Sequence, residues 1–276
     1  MAMKPSTTHL FIPDVQIRPD SNTRNITWFG RYAYEVATKR PGPFKVIVIG
    51  DWHDFPSLSS YDKPGSKNAE NQRIVLDLAA GNREIDRFSD YLDRADTIRE
   101  KRGFPKIERH FFEGNHEYRL WRMMENEAKH DGTYGRESFR WLARGWKHYP
   151  FLKVVKIDGI AYSHYFYNPL TSRPYAGNSI DTRLKTIGCS FSMGHQQVHL
   201  TGMRQTISGP HRGLVSGVAY IDDAEYIGPQ GNAEKRLIVV KNEVKSGDYD
   251  ICEVSLDFLC RKYEGKTLAE FKRGKS

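Results

Sequence analysis

Residues Lys45–Asp54, KVIVIGDWHD, carry the most informative local pattern of the chain. Its first five residues are β-branched and apolar apart from one lysine, which predicts a buried strand that ends at Gly50-Asp51. An earlier apolar run, His9–Ile12, stops at Pro13-Asp14, and Thr27–Lys39 between the two runs carries apolar residues at helical spacing. Strand, helix and strand in this order predict a βαβ unit, so we expect a sheet that is at least partly parallel.

Further elements extend this unit towards the C-terminus. Helices are predicted at Glu70–Lys101, with a break near Gly81, at Tyr118–Ala128 and at Glu137–Ala143, and a strand is predicted at Ile107–Phe112. Beyond Leu152 hairpins dominate, because Asp158-Gly159 separates two short apolar runs. Later strands are predicted at Phe191–Met193, Leu214–Tyr220, Leu237–Val244 and Tyr249–Leu256, and Asp257–Tyr263 is a candidate for one more. We therefore predict one α/β domain over residues 1–276, with two packed mixed β-sheets and helices outside them.

Composition narrows the possible partners. The 276 residues include 42 Lys and Arg against 34 Asp and Glu, a formal charge of +8, which weakly favours nucleic acid or another phosphate-bearing partner. No apolar run is long enough for a membrane span, and Met1–Thr8 lacks the apolar segment of a signal peptide, so we expect a cytoplasmic protein with no membrane partner. The odd number of cysteines, Cys189, Cys252 and Cys260, argues against a disulfide framework and a cysteine zinc site.

Side chains that bind metals follow five of the predicted strands. Their segments are Asp14-Val15-Gln16, Gly50–Asp54, Gly114–Glu117, Ser163-His164 and Gly194–His199. Open α/β sheets bind ligands at the carboxyl ends of their strands, and Asp, Asn, Gln and His together suit Mn, Fe, Zn or Mg. Each residue alone is more often a turn, a cap or an ordinary histidine. Their coincidence at five strand ends, with glycines that allow close approach, predicts a metal site.

The order of these segments resembles the calcineurin-like metallophosphoesterase family over roughly residues 8–200. Gly50-Asp51-Trp52-His53-Asp54 together with Gly114-Asn115-His116-Glu117 is a specific pair of motifs, and Gly50–Asp62 and Tyr226–Asp257 look like phage-encoded members. The resemblance implies a four-layer sandwich of two mixed β-sheets flanked by helices, in which strands within 214–263 complete a sheet. For a phage-encoded protein the expected location is the host cytoplasm.

The resemblance also implies two divalent metal ions bridged by Asp51. The second ion would take Asn115, His164 and His195 as further ligands. The first would take Asp14, Gln16 and Gln197, although the family usually has histidines at the last two places. Because amide oxygens are neutral, hard donors, we expect a weaker first site and Mn as the favoured metal, with Mg, Fe, Zn or Ni as other candidates. His199 is an alternative ligand that would need a strand bulge.

The same resemblance assigns chemistry to the residues around the ions. A water held between ions about 3.5–4 Å apart would lose a proton and attack the phosphate. His116 would protonate the leaving oxygen or brace the phosphate, and Asp54 would orient His116. Asn115 and His116 are candidate substrate contacts as well. The resemblance assigns no role to His53, which is a candidate either for a substrate contact or for a plain loop histidine, and Arg119 could meet a phosphate or face solvent. Tyr165, Phe166 and Tyr167 are candidates either for stacking a base or for core packing.

Three functions remain open at this stage. The leading hypothesis is hydrolysis of a phosphodiester, for which DNA or RNA is one candidate substrate. A phosphatase or phosphodiesterase for a small molecule or a phosphoprotein would carry the same motifs, because these handle the phosphate and not its substituents. A binding module with a decayed site is the third, suggested by Gln16 and Gln197. The loop Ser57–Lys67, with Tyr61, Lys63 and Lys67, could reach over a substrate or be solvated.

Overall fold

The structure is a computed structural model that describes residues 6–59, 72–175, 179–223 and 234–274. Its strands are β1 (Thr7–Ile12), β2 (Phe44–Val48), β3 (Glu108–Phe112), β4 (Lys147–Tyr149), β5 (Val155–Ile157), β6 (Ile160–Tyr162), β7 (Tyr167–Asn168), β8 (Arg173–Pro174), β9 (Phe191–Met193), β10 (His199–Thr206), β11 (Gly209–Ser216), β12 (Leu237–Lys245) and β13 (Asp248–Ser255). Its helices are α1 (Arg24–Lys39), α2 (Ile74–Lys101), α3 (Asn115–Asn126), α4 (Arg140–Ala143), α5 (Ile180–Ile187), α6 (Leu256–Glu264) and α7 (Leu268–Arg273).

The first sheet has six strands in the order β13-β12-β1-β2-β3-β4. Strands β1 to β4 run parallel to one another, and β12 joins β1 antiparallel, so the sheet is mixed. The predicted βαβ unit is confirmed as β1, α1 and β2, and α2 makes the next crossover from β2 to β3. The carboxyl ends of β1, β2 and β3 therefore lie side by side.

The second sheet has five strands in the order β10-β11-β9-β6-β5 and is also mixed. Strands β6, β9 and β11 are parallel, whereas the hairpins β5–β6 and β10–β11 are antiparallel. The predicted hairpin at Asp158-Gly159 is confirmed, and both turn residues have positive φ, 49° and 87°. This is the two-residue turn whose twist matches that of the flanking strands. Strands β7 and β8 form a separate small hairpin.

Alternation along the strands separates the apolar side chains into three clusters. In β2, Ile47 joins a cluster with Tyr162 of the second sheet, whereas Val46 and Val48 join helix residues such as Phe88. A third cluster lies between the second sheet and α5, where Phe191 meets Leu184. The two mixed sheets thus share a core and have helices on their other faces, an arrangement compatible with a sandwich.

Several predicted elements need correction. Asp257–Tyr263 is not a strand but part of α6, because Leu256, Leu259 and Cys260 are buried at helical spacing and the Ser255 side chain caps the helix start. Helix α2 runs unbroken through Gly81. The predicted helix at 137–143 is a 3₁₀ turn, Arg136–Ser138, followed by the short α4. Strands β4, β7, β8 and β10 and helices α5 and α7 were not predicted, and the predicted strand Leu214–Tyr220 is β11, which begins at Gly209 and ends at Ser216. None of the helices in the described part of the chain combines the length and the hydropathy that a membrane span requires.

Candidate metal centre

The carboxyl ends of strands from both sheets meet at one place. Asp51 follows β2 and is almost fully buried; its Oδ1 accepts a hydrogen bond from the His116 N–H (3.0 Å). Asp51 Oδ2 lies 3.4 Å from Nε2 of His164, which follows β6. One potential ligand atom from each of Asp51, His164 and His195 lies within 4.8 Å of the others. The structure therefore brings together a carboxylate and two imidazoles that are far apart in sequence.

Asn115 completes this cluster. Its Oδ1 lies 2.9 Å from His164 Nε2 and 2.8 Å from His195 Nδ1. Asn115 is the first residue of α3, and that position at the end of β3 aims its side chain at the ends of β6 and β9. All four ligands that the resemblance implies for the second ion therefore lie in contact.

The two histidines are prepared differently for metal binding. His164 Nδ1 donates to the Ile49 carbonyl (2.9 Å), an outer hydrogen bond that orients Nε2 towards the cluster. Burial alone would lower the pKa of His164, but the neighbouring Asp51 raises it to about 9. Burial, reinforced by His164, lowers the pKa of His195 to about 4, so His195 is neutral at pH 7. Since only neutral imidazole binds a metal, ion binding would displace the proton from His164.

Asp14 lies beside this cluster and is fully buried. Its two carboxylate oxygens lie 3.2 and 3.0 Å from the His195 backbone N–H, which donates to them. Burial, with a further contribution from Asp51, raises the pKa of Asp14 to about 7, although His164 opposes this. Two neighbouring buried carboxylates disfavour each other's charge, and a divalent cation would relieve that repulsion. The donor set therefore fits a metal ion.

The backbone is strained at four of the predicted ligands. Gln16, Asp51, His195 and Gln197 have φ values of 50°, 50°, 69° and 58°. Positive φ is uncommon for residues other than glycine and costs of the order of 1–3 kcal/mol, so it persists where surrounding structure imposes it. The Gln16 N–H donates to the Asp51 carbonyl (2.8 Å), which holds these two strand ends together. Such a concentration of strain is typical of functional sites.

Two glycines allow the strand ends to approach this closely. A Cβ added at Gly114 would lie 2.0 Å from Asp51 Oδ1, and one added at Gly194 would lie 2.3 Å from Asp14 Oδ1. Neither position has room for a side chain. The glycines before Asn115 and His195 thus let the strand ends approach Asp51 and Asp14, and the prediction that they allow close approach to a ligand stays a prediction.

His116 and Asp54 form a pair at the edge of the cluster. His116 Nδ1 lies 2.5 Å from Asp54 Oδ1, and its Nε2 lies 3.7 Å from Asp51 Oδ2. Burial alone would lower the pKa of His116, yet the carboxylates of Asp51 and Asp54 hold it above the usual value. Arg18 also pairs with Asp54, whose pKa stays low despite burial because His116 and Arg18 are close. The predicted orientation of His116 by Asp54 agrees with this geometry.

Glu117 is a positioning residue that the motif contains but to which the sequence analysis assigned no role. It is fully buried and accepts three backbone hydrogen bonds, from Asp51 (2.9 Å), His53 (2.8 Å) and Gly114 (2.8 Å). One carboxylate thus joins the loop after β2 to the turn after β3. The sequence signal that could have identified Glu117 was its position in the predicted Gly114–Glu117 segment.

Two predicted site residues lie elsewhere. His53 is fully buried, with its ring 5.4 Å from that of Phe55 and 5.2 Å from that of Phe139, so it is not a substrate contact. Its ring fills the space that Gly81 leaves in α2, since a Cβ there would lie 2.0 Å from the ring. His199 is not a ligand of this cluster, because its Nε2 pairs with Glu253 (2.7 Å).

The remaining candidates are placed as follows. Arg119 donates to the Asp54 carbonyl (2.9 Å), and its Nη2 lies 3.3 Å from His116 Nε2, so it stands at the rim of the cluster. Of the predicted aromatic trio, Phe166 is buried against Phe191, whereas Tyr165 and Tyr167 are partly exposed. Ser57 donates to Asp77, and the part of the predicted loop with Tyr61, Lys63 and Lys67 lies outside the described residues.

No protein-family model matches the chain, and no curated protein matches it in a sequence search. Three features of the structure bear on the class of protein: the two mixed sheets, the cluster of carboxylates, imidazoles and an amide at their strand ends, and the adjacent His116–Asp54 pair.

Proposed function

We propose that this chain is a metal-dependent phosphoesterase of the calcineurin-like type, which hydrolyses a phosphodiester. The observation that carries the proposal is the contact among Asp51, Asn115, His164 and His195, residues from four separate segments. The two mixed sheets with outer helices are compatible with the four-layer sandwich of that family.

The residues would hold two divalent ions that share Asp51. Asn115, His164 and His195 would complete the second site, and Asp14 with the amides of Gln16 and Gln197 would form the first. Since amides replace imidazoles there, we expect that site to bind more weakly and to favour Mn or Mg. Bound divalent cations supply Lewis acidity, which neutralises phosphate charge and lowers the pKa of water.

The chain's own residues would orient the substrate and move a proton. His116 Nε2 faces the cluster, so it can donate a proton to the leaving oxygen of a phosphate held there. Asp54 fixes the ring through Nδ1, and Arg18 in turn holds Asp54. The buried walls around Asp14 and Asp51 exclude bulk water, which strengthens every charge interaction within the site.

The experiment is an assay with bis-p-nitrophenyl phosphate in Mn²⁺, with p-nitrophenyl phosphate and a phosphopeptide as monoesters. Asp51→Asn should abolish turnover, and His116→Ala should lower kcat by about 10²–10⁴-fold. The matched control is His199→Ala, because His199 is a histidine with a carboxylate partner outside the cluster.

Each outcome discriminates between the candidate functions. Equal rates for wild type, Asp51→Asn and His116→Ala would mean that this site does not carry the activity. A preference for monoesters would favour a phosphatase, and tight metal binding without turnover would favour a binding module. Two tightly held zinc or iron ions per chain would contradict the predicted weakness of the first site.

A further inference from the structure

A row of four aromatic rings lies beside the candidate metal centre. Tyr118 of α3 stacks on Phe151 (5.0 Å between centroids), Phe151 meets Tyr165 edge to face (5.5 Å), and Tyr165 lies 5.3 Å from Tyr167. None of the four is fully buried, and Tyr167 is 37% exposed. These residues, here called the aromatic row, leave ring surface open to solvent.

The aromatic row is continuous with the cluster of metal-type donors. The Tyr165 ring stacks on that of His195 at 4.6 Å with 28° between the planes, and the Phe151 ring lies 6.3 Å from that of His164. A group bound at the donors would therefore have the aromatic row as its immediate neighbour.

Local structure keeps these rings at the surface. Phe166 is buried in the core, where it meets Phe191, whereas its neighbour Tyr165 is only partly buried and Tyr167 is exposed. The Tyr175 N–H donates to the Phe166 carbonyl (2.9 Å), which ties the β7–β8 hairpin to this segment. At the hairpin tip Leu170 is 92% exposed, and Arg173 on β8 is exposed as well. Exposed rings and an apolar tip beside a polar site are typical of ligand recognition.

We propose that the aromatic row is a stacking subsite for a nucleobase, so that the substrate is a diester of a nucleotide. The inference rests on the proposed phosphoesterase function. One sugar separates a nucleobase from its phosphate, so a phosphate at the donors brings the base to the adjacent rings. Aromatic side chains bind every base through its π-face, and the +8 charge favours a polyanionic substrate.

The test compares two diesters with the same leaving group, thymidine 5′-(p-nitrophenyl phosphate) and methyl p-nitrophenyl phosphate, in saturating Mn²⁺. Wild type should prefer the thymidine ester by about tenfold or more in kcat/KM. Tyr167→Ala should bring that ratio towards one, whereas Tyr167→Phe should keep it. Phe258→Ala is the matched control, because Phe258 is 44% exposed on α6, which packs on α1, α7 and β13.

Equal kcat/KM values for the two esters in wild type, or an unchanged ratio in Tyr167→Ala, would overturn the subsite. If neither ester is hydrolysed, the phosphoesterase proposal fails separately, and calorimetric binding of thymidine 5′-monophosphate to wild type and Tyr167→Ala still decides the subsite. Weaker binding by the variant supports stacking, and equal binding refutes it.

The source of the base is then distinguished by comparing the binding affinities of three ligands: single-stranded oligothymidylate, its abasic counterpart and the dinucleotide. Tighter binding of the oligonucleotide than of the dinucleotide supports a nucleic-acid strand, and equal binding supports a free dinucleotide. Equal binding of the abasic strand overturns base stacking.

Discussion

Replacing Glu117 with glutamine tests whether one buried carboxylate holds the two motif loops together. Glu117 Oε2 accepts the N–H groups of Asp51 and Gly114, and Oε1 accepts that of His53. Glutamine has the same shape but only one acceptor oxygen. If that oxygen keeps Asp51 and Gly114, the new NH₂ group faces the His53 N–H, and two donors oppose each other.

The expected cost follows from these three bonds. Losing one hydrogen bond to a charged group costs about 2 kcal/mol, and the two that remain lose charge assistance worth about 1 kcal/mol each. The amide is easier to bury than the carboxylate, which offsets part of this. We therefore expect a net destabilisation of about 3 kcal/mol, or about 6 °C in the unfolding midpoint for a chain of this size.

Metal affinity should fall as well, because Glu117 positions the backbone of the bridging Asp51. Changes to groups that orient a ligand typically cost about 10- to 100-fold in affinity. Calorimetric titration with Mn²⁺ and thermal unfolding followed by circular dichroism measure the two effects. Glu84→Gln is the matched control, since Glu84 is fully buried and pairs with Arg83 and Arg87 outside the site. It should lower stability and leave Mn²⁺ affinity unchanged.

If Glu117→Gln unfolds at the wild-type midpoint, the Glu117 carboxylate does not hold the two motif loops together. If the midpoint falls but Mn²⁺ binds as tightly as in wild type, the carboxylate supports the fold without positioning Asp51 for metal binding.

Three further outcomes are expected. Mn²⁺ at a hundredfold excess over Kd should raise the free energy of unfolding of chelator-treated protein by about 2.7 kcal/mol, measured by urea unfolding, and Asp51→Asn should lose this gain. A gain retained in Asp51→Asn would place the ion elsewhere. Gly194→Ala should destabilise by about 1–3 kcal/mol because its Cβ would collide with Asp14. Gly274→Ala should cost less in urea unfolding, because Gly274 has a φ of −74° and an added Cβ would lie 3.6 Å from its nearest neighbour. Burial lowers the pKa of His9 from 6.5 to about 4. As pH falls, His9 therefore binds a proton at a higher pH in the unfolded chain than in the folded chain, and up to about 3 kcal/mol of stability should be lost between pH 6.5 and 4. His9→Gln should flatten that profile, and an unchanged slope between pH 6.5 and 4 would contradict it.

Local patterns were sufficient to predict the strands that carry the site. The β-branched run before Gly50 and the turn pair at Asp158-Gly159 each specify their structure within a few residues. Because carboxyl ends of adjacent parallel strands meet, the donors that follow them could be expected to converge. The cluster of Asp51, Asn115, His164 and His195 agrees with that expectation.

Features that depend on distant packing could not be predicted. His53 follows Trp52 in the same strand-end motif as Asp51, and only the fold shows that its ring occupies the gap beside Gly81. His199 has ligand-like spacing from His195, yet its Nε2 pairs with Glu253 of β13. The apolar residues of α6 suit either a strand or a helix over seven residues. The segment is a helix because its apolar face packs against α1.

The place of β1 inside its sheet has a consequence for biosynthesis. Leu10 lies between Val46 of β2 and Val240 of β12, and the Asp14 carbonyl accepts from the Ala219 N–H. While the ribosome is still translating, one edge of β1 remains unpaired and offers a template for mispairing with other chains. The nascent chain can therefore complete this sheet only after β12 has emerged, so β1 waits for a distant strand and is a candidate for chaperone protection in the meantime.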